Sequence, residues 1–143
     1  MKCKTRDFGE LEIREEDVIT FAQPLFGFES YKRFALIHNE EIGEEMAWMQ
    51  SLDEPSICFV LFDPSALADL FAPRLPESVG ATLGEGEYIC WVLCTIPQDV
   101  RKTTVNLKSP VFINPRSRNA AQIILEQDYP VRFPLMREAG SSC

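Results

Sequence analysis

Hydrophobic and polar residues alternate with a period of two along most of the chain, and this pattern predicts β-strands rather than helices. "KCKTRDFGELEI" (residues 2–13) predicts two short strands joined at a turn that contains Gly9. The segments "DVITF", "FALIH" and "MAWMQSL" predict the next strands. Two further runs, "SICFVLF" and "YICWVLCTI", are apolar without alternation. Such runs are typical of strands that are buried on both faces or that cross the interior of a barrel.

Helical patterns are scarce and short. "DPSALADLFAP" (residues 63–73) and "PESVGATLG" (residues 76–84) each suit a helix of one or two turns, the first ended by Pro73 and the second by Gly84. No internal repeat or linker divides the chain. We therefore predict one domain over residues 1–143: an all-β, small antiparallel β-barrel-like domain with one or two short helices.

Composition and charge restrict the function classes. The chain has 143 residues and a formal net charge of −8, which argues against a general binder of nucleic acid or anionic membranes and favours basic protein partners. The five cysteines include no CxxC pair, and an odd number fits a reducing compartment. No apolar run approaches the roughly 20 residues of a membrane span. The sequence predicts a cytoplasmic protein.

A search for catalytic chemistry finds little. His38 is the one histidine, and neither a GxSxG serine nor a GxxxxGK[ST] phosphate loop is present. We predict no enzyme, no catalytic, metal-binding or cofactor-binding residue and no small-molecule substrate. Acidic pairs in "REED", "NEEIGEE" and "LDEP" read as solvated loops, but they leave open a small β-barrel hydrolase that uses a carboxylate pair.

Positive charge gathers in residues 100–125, which hold five basic residues and no acidic one, against nine bases and 22 acids in the rest of the chain. This asymmetry leaves open a barrel domain that binds nucleic acid directly, although the segment lacks the clustered aromatics that stack bases. Ser109-Pro110 predicts a break between two strands, and Asn114-Pro115 predicts a turn from which Arg116 and Arg118 project.

The same region carries a family resemblance. "TVNLKSPVFIN", then "AQIIL" and "YPVRFPL", resemble the C-terminal signature of the flagellar assembly factor FliW family. "GELEI", "DVITFAQPLFGFESYKRFALI" and "FVLFDP" resemble its N-terminal motifs in the same order. Ser109 stands where the family usually has Ala, Leu25-Phe26 replace a Gly-Leu pair, and Ala120-Ala121 precede Gln122 where Lys or Gly is common.

The resemblance implies a protein that acts by binding. FliW-like proteins bind cytoplasmic flagellin and alternatively sequester the translational repressor CsrA, which couples flagellin translation to assembly of the flagellum. The expected partners are therefore flagellin and CsrA, without direct contact to nucleic acid or membrane. We take as candidate contact residues an aromatic motif, an acidic loop and a pair of arginines: Phe26, Phe28, Glu29, Glu40, Glu41, Glu44, Glu45, Arg116 and Arg118.

The aromatic motif "PLFGFES" (residues 24–30) allows two interpretations. In an extended segment, Phe26 and Phe28 point to one face because they are two residues apart. Either both rings plug an end of the barrel, or one stays exposed beside Glu29 and anchors an apolar helix of a partner.

Overall fold

The computed structural model describes residues 1–39, 41 and 43–135. Short strands dominate this part of the chain, as the period-two pattern predicts. In chain order they are β1 (Lys2–Lys4), β2 (Glu10–Glu12), β3 (Val18–Phe21), β4 (Arg33–Ile37), β5 (Met46–Ser51), β6 (Cys58–Phe62), β7 (Ile89–Thr95), β8 (Thr104–Val105), β9 (Val111–Ile113), β10 (Asn119–Gln122) and β11 (Phe133–Pro134).

Seven of these strands close into a barrel in the order β3-β4-β5-β6-β7-β9-β10, with β10 returning to β3. All neighbours in the ring are antiparallel except β10 and β3, which run parallel. A ring with an odd number of strands cannot alternate direction throughout, so one parallel pair is unavoidable. β8 pairs with the end of β7, and β11 pairs with β8 outside the ring. The all-β barrel class is confirmed.

The barrel interior is filled by every second side chain of its strands. Ile19 and Phe21 of β3 point inward, and so do Phe34 of β4 and Met49 of β5. The remaining buried members of this inner core are Leu25, Ala47, Leu61, Trp91, Val111, Ile113 and Ala120. In β3 the alternation of the sequence therefore marks the inner face, since Ile19 and Phe21 are buried and Thr20 is exposed.

Two covers bury much of the outer face. The β1–β2 hairpin lies over β4–β6, where Cys3 and Ile13 join Ile37 and Trp48 in a second core. The other cover includes the helix α1 (Ser78–Leu83), whose Val79 and Leu83 join residues of β7, β9 and β10 in a third core. β6 and β7 are thus apolar on both faces, which explains why their sequences show no alternation.

Helical structure in the described residues is limited to α1 and three 3-10 segments, Glu15–Asp17, Pro64–Leu70 and Val100–Lys102. The pattern at residues 63–73 is therefore helical but takes the tighter 3-10 form, which proteins use in short pieces. α1 is followed by Gly84 at φ +83°, a conformation that glycine adopts without steric cost.

Side-chain hydrogen bonds shape the predicted break at Ser109-Pro110. The Asn106 carboxamide oxygen accepts hydrogen bonds from the Lys108 and Ser109 amides, each 3.0 Å long, and so turns the chain between β8 and β9. The Gln122 side chain donates to the Ser109 carbonyl at 3.2 Å. The side chains of Asn106, inside the motif "NLKSPVFIN", and of Gln122, outside it, therefore fix the backbone of this motif.

Candidate partner-binding surfaces

The strand order separates the candidate residues into two groups at opposite ends of the barrel. Successive loops of an antiparallel meander emerge at opposite ends, so the β3–β4 loop (residues 22–32) and the β4–β5 loop (residues 38–45) cannot lie together. We call the end that carries the β3–β4 loop the aromatic end and the other the acidic end. The β9–β10 turn (residues 114–118) belongs to the acidic end, because β10 runs parallel to β3.

The aromatic motif forms a turn instead of an extended segment. The Phe28 amide donates to the Leu25 carbonyl at 2.9 Å, and Gly27 adopts φ +85°, the left-handed conformation that a type II turn requires at this position. Leu25 is 1% exposed inside the barrel, whereas Phe26 is 51% exposed. The premise of an extended segment is therefore wrong, and the buried plug at this end is Leu25.

Phe28 is held against the barrel while Phe26 is not. The Phe28 ring lies edge-on to Phe59 of β6, with 4.9 Å between ring centroids, and remains 36% exposed. A Glu29 carboxylate oxygen accepts a hydrogen bond from the Gly27 amide at 3.2 Å. Glu29 thus stabilises the turn, Phe28 fixes it to the barrel wall, and Phe26 presents its ring to solvent.

Gln122 was not among the candidates of the sequence, yet it positions the aromatic motif. Its carboxamide oxygen accepts a hydrogen bond from the Phe26 amide at 3.2 Å, while its nitrogen donates to Ser109. Gln122 is 6% exposed. A buried carboxamide is retained where it satisfies backbone groups that would otherwise lack partners. Its place in the resembling motif, next to an apolar run, was the available signal.

The acidic end carries the β4–β5 loop. Glu41, Glu44 and Glu45 are exposed, while Glu40 lies outside the described residues. The Glu41 amide donates to the Asn39 side chain at 2.9 Å, which gives this part of the loop a defined turn. Further acids flank the same end, next to β3, β6 and β7: Glu15, Glu16, Asp17, Asp63, Glu85 and Glu87. Carboxylates therefore cluster at this end of the barrel, although Arg14 pairs with Glu16 and Asp17 there.

The two candidate arginines lie at this acidic end and differ from each other. Arg116 is exposed, whereas Arg118 is half-buried at φ +63° and donates to the Val18 carbonyl at 3.4 Å. Arg101, Lys102 and Lys108 belong to segments that emerge at the aromatic end. The five bases that are neighbours in sequence are thus divided between the two ends, and they form no continuous basic groove.

Other chemistry is sparse in the part of the chain that the structure describes. Three grooves of about 650, 370 and 310 Å³ contain one carboxyl side chain each: Asp7, Asp63 and Glu126. The described residues include no group of three His, Cys, Asp or Glu side chains arranged to hold a metal ion. Within them, no helix has the length and apolar character to cross a membrane. The carboxylate pair of a hydrolase therefore finds no support in these grooves.

The thiols are buried among apolar side chains. Burial raises the pKa of Cys90 to about 12 and those of Cys58 and Cys94 to about 11. Burial also raises the pKa of Cys3. Since the thiolate is the reactive form, the raised pKa values make these cysteines poorly reactive at neutral pH.

The family is decided by a match between residues 2–135 and the model of the FliW protein family. The chain belongs to the FliW family. Among curated relatives, the flagellar assembly factor FliW of Natranaerobius thermophilus is 36% identical, with 99% of this chain and 96% of that protein covered. The flagellar assembly factor FliW of Lachnoclostridium phytofermentans is 32% identical, with 94% and 90% covered.

A solved FliW structure has the same fold. The crystal structure of a flagellar assembly factor FliW matches with a TM-score of 0.88 and 28% sequence identity, over 97% of this chain and 99% of that one. The barrel, its covers and both loop-bearing ends therefore correspond to a known FliW architecture. The family resemblance in the sequence motifs is confirmed.

Proposed function

We propose that this protein is a cytoplasmic flagellar assembly factor that binds flagellin and alternatively sequesters CsrA. Flagellin that accumulates unsecreted occupies the protein and leaves CsrA free to repress flagellin translation. Export of flagellin frees the protein to bind CsrA. The protein works as one unit and performs no chemistry on its partners. Relatives that are 32% and 36% identical to it are named flagellar assembly factors, which supports a binding role.

The observation that carries this proposal is the difference between the two ends of the barrel. One end presents Phe26 on a turn that is fixed from below, and the other presents a group of exposed carboxylates. An exposed aromatic ring on a rigid support is a typical anchor for an apolar partner surface. Clustered carboxylates attract a basic partner. Two unlike ends suit two unlike partners, and their alternate binding requires that flagellin at one end lower the affinity of the other end for CsrA.

The flagellin surface is assigned to the aromatic end. Phe26 is the anchor, Phe28 forms the wall beside it, and Glu29 maintains the turn. An amphipathic helix of flagellin, laid with its apolar face across the exposed Phe26 ring, would remove that ring from water. Full burial of such a side chain contributes about 1.5–3 kcal/mol.

The CsrA surface is assigned to the acidic end. Glu41, Glu44 and Glu45 are exposed on the β4–β5 loop, and Arg116 lies at the same end on the neighbouring turn. Glu40 lies outside the described residues and is proposed as a contact from its place in the sequence alone. The excess of carboxylates here accelerates association with a basic protein and makes the rate sensitive to salt. Arg118 has a structural role on β3 and is the least suited of the candidates to partner contact.

A capture experiment tests the proposal. The tagged protein is used to retrieve partners from cytoplasm of its own cells, and we expect both flagellin and CsrA among the retained proteins. Phe26→Ala is expected to lose flagellin and keep CsrA, whereas Glu44→Gln with Glu45→Gln is expected to weaken CsrA alone. Retention of neither protein by the unaltered chain would overturn the proposal.

A further inference from the structure

The outer face of the barrel is open between its two covers, where β6 and β7 separate. The β6–β7 ladder ends at the pair Val60 and Cys94, although β6 begins two residues earlier at Cys58. A groove of about 650 Å³ fills the gap. Its lining includes Val60 and Cys94 on the strands and Ile96 and Val131 at the sides. We call this groove the β6–β7 cleft.

Backbone direction in the two strands shows what faces the cleft. In an antiparallel ladder, successive residues direct their N–H and C=O groups to alternate sides. The Leu93 carbonyl accepts a hydrogen bond from the Asn106 amide on the β8 side. The backbone N–H and C=O groups of Cys94 and Ile96 therefore point towards β6. Ile96 is two residues beyond the last pair and forms no backbone hydrogen bond with any described residue. The cleft therefore contains one backbone position, Ile96, that directly follows β7 and is unpaired among the described residues.

The opposite wall is already capped by a side chain. The Ile57 carbonyl accepts a hydrogen bond from the Ser51 amide of β5. By the same alternation, the backbone N–H and C=O groups of Cys58 point into the cleft. Its carbonyl accepts a hydrogen bond from the Arg6 guanidinium at 2.8 Å. Arg6 thus satisfies the Cys58 carbonyl, whereas no side chain among the described residues bonds the backbone of Ile96. An uncapped strand edge is a template for pairing with another chain.

Two features indicate the chemistry of an occupant. Ile96 and Val131 are 46% and 58% exposed, so alternate apolar side chains of an extended segment would find contacts there. Arg132 lines the cleft and is in no ion pair with the residues that the structure describes, whereas Arg6 is paired with Asp7 at 2.8 Å. Arg132 therefore offers a free guanidinium to a carboxylate of the occupant.

The cleft is also continuous with the aromatic end. The cleft lies where β6 begins and β7 ends, which is the end of the barrel that carries the β3–β4 loop. Phe59 is one of the residues of the cleft, and its ring packs against Phe28. A partner seated on the aromatic motif can therefore extend directly into the cleft. This continuity connects the cleft with the flagellin surface rather than with the acidic end.

We propose that the β6–β7 cleft binds an extended, alternately apolar segment with one carboxylate, which pairs with the Ile96 edge as an added strand and places its carboxylate on Arg132. The inference rests on the proposed function, in which the partner at this end is flagellin. Binding would thus combine an anchor at Phe26 with strand addition at Ile96.

Titration of the full-length protein with purified flagellin tests the cleft. Ile96→Asp should weaken binding at least tenfold. Ile89→Asp should change it less than twofold, because Ile89 is similarly exposed (44%) but begins β7, whereas Ile96 directly follows the end of β7. Arg132→Glu should weaken binding at least fivefold, and the exposed Arg74→Glu less than twofold. In the complex, hydrogen exchange of the Ile96 amide should slow at least tenfold.

The outcomes distinguish failure of the proposed function, flagellin binding, from failure of the proposed binding site in the β6–β7 cleft. Absence of flagellin binding by the unaltered protein would overturn the proposed function and the cleft with it. Normal binding by both the Ile96 and Arg132 variants would overturn the cleft alone. Weaker binding by these variants without protection of the Ile96 amide would overturn strand addition.

Discussion

The carboxamide of Gln122 accepts a hydrogen bond from the Phe26 amide, at a distance of 3.2 Å. These residues lie 96 positions apart, so the bond ties the exposed aromatic ring to a strand at the other end of the chain. The same side chain donates to Ser109 in the proline-broken motif. The surface that we assign to flagellin is therefore supported by the segment that identifies the family.

Gln122→Ala is expected to lower the free energy of unfolding by about 1–3 kcal/mol, because the Phe26 amide and the Ser109 carbonyl lose a buried partner. Gln127→Ala is the matched control. Gln127 also bonds two backbone groups, of Arg74 and Ala72, but in an exposed place, so its loss should cost less than about 1 kcal/mol. Urea denaturation measures both, and equal losses would contradict the role of Gln122.

Phe26 and Phe28 are expected to respond differently to truncation. Phe26→Ala should leave stability within about 1 kcal/mol, since the ring is exposed, and weaken flagellin binding at least tenfold, or about 1.4 kcal/mol. Phe28→Ala should lower stability by about 1–2 kcal/mol through loss of the ring pair with Phe59. Leu25→Ala, a core truncation, should cost about 2–5 kcal/mol. Full stability and full flagellin binding in both Phe variants would exclude the aromatic motif from the flagellin surface and from the stability of the barrel.

Neutral substitutions in the acidic loop should act on the rate of CsrA association. Glu44→Gln with Glu45→Gln is expected to slow association and to reduce its salt dependence, because fewer charges steer the encounter. Adding Glu40→Gln and Glu41→Gln should extend the effect. The control is Glu126→Gln with Asp128→Asn, exposed acids that follow β10 at the other end. Stopped-flow measurements that find equal rates for both doubles would exclude the loop from the contact.

The buried thiols predict a loss of stability at alkaline pH. Cys90 keeps its proton in the folded state up to a pKa of about 12, and Cys58 and Cys94 up to about 11, whereas an unfolded thiol ionises near pH 8.5. The folded state thus binds more protons between these values, and stability should fall as pH rises through about 9 to 11. Cys90→Ala should make the fall shallower, which denaturation at several pH values would measure.

The same thiols should react faster after unfolding. A thiol-reactive dye at pH 7.5 is expected to react slowly with Cys3, Cys58, Cys90 and Cys94 in the folded protein. After unfolding without oxidation, all five cysteines of the chain should titrate as free thiols. Cys143 lies outside the described residues, so the comparison rests on the other four. A stable intramolecular disulfide would contradict the prediction of a reducing compartment.

Local pattern was sufficient for the strands but not for the way the barrel closes. The segments predicted from the sequence located β3, β4 and β5 correctly, although only β3 alternates between buried and exposed side chains and the other two are buried on both faces. Closure depends on pairing β10 with β3 and β9 with β7. Such pairings join segments distant in sequence, and no local alternation encodes them.

The candidate surfaces show the same limit. Spacing alone put Phe26 and Phe28 on one face, and the turn at Gly27 separated them. Charge counting gathered five bases into one segment, but the strands between them carry the bases to opposite ends. Burial of Leu25 and the hydrogen bonds of Gln122 depend on tertiary packing. The resemblance in sequence supplied the family, and the fold supplied the arrangement of its surfaces.

A competition experiment tests whether flagellin and CsrA bind the protein alternatively. Labelled CsrA is bound to the purified protein, flagellin is added in increasing amounts, and release of CsrA is followed by fluorescence anisotropy. We expect saturating flagellin to release CsrA from the unaltered protein, whereas Phe26→Ala should bind CsrA normally but resist this release. Failure of CsrA to bind, or its full retention at saturating flagellin, would contradict alternate binding of the two proteins.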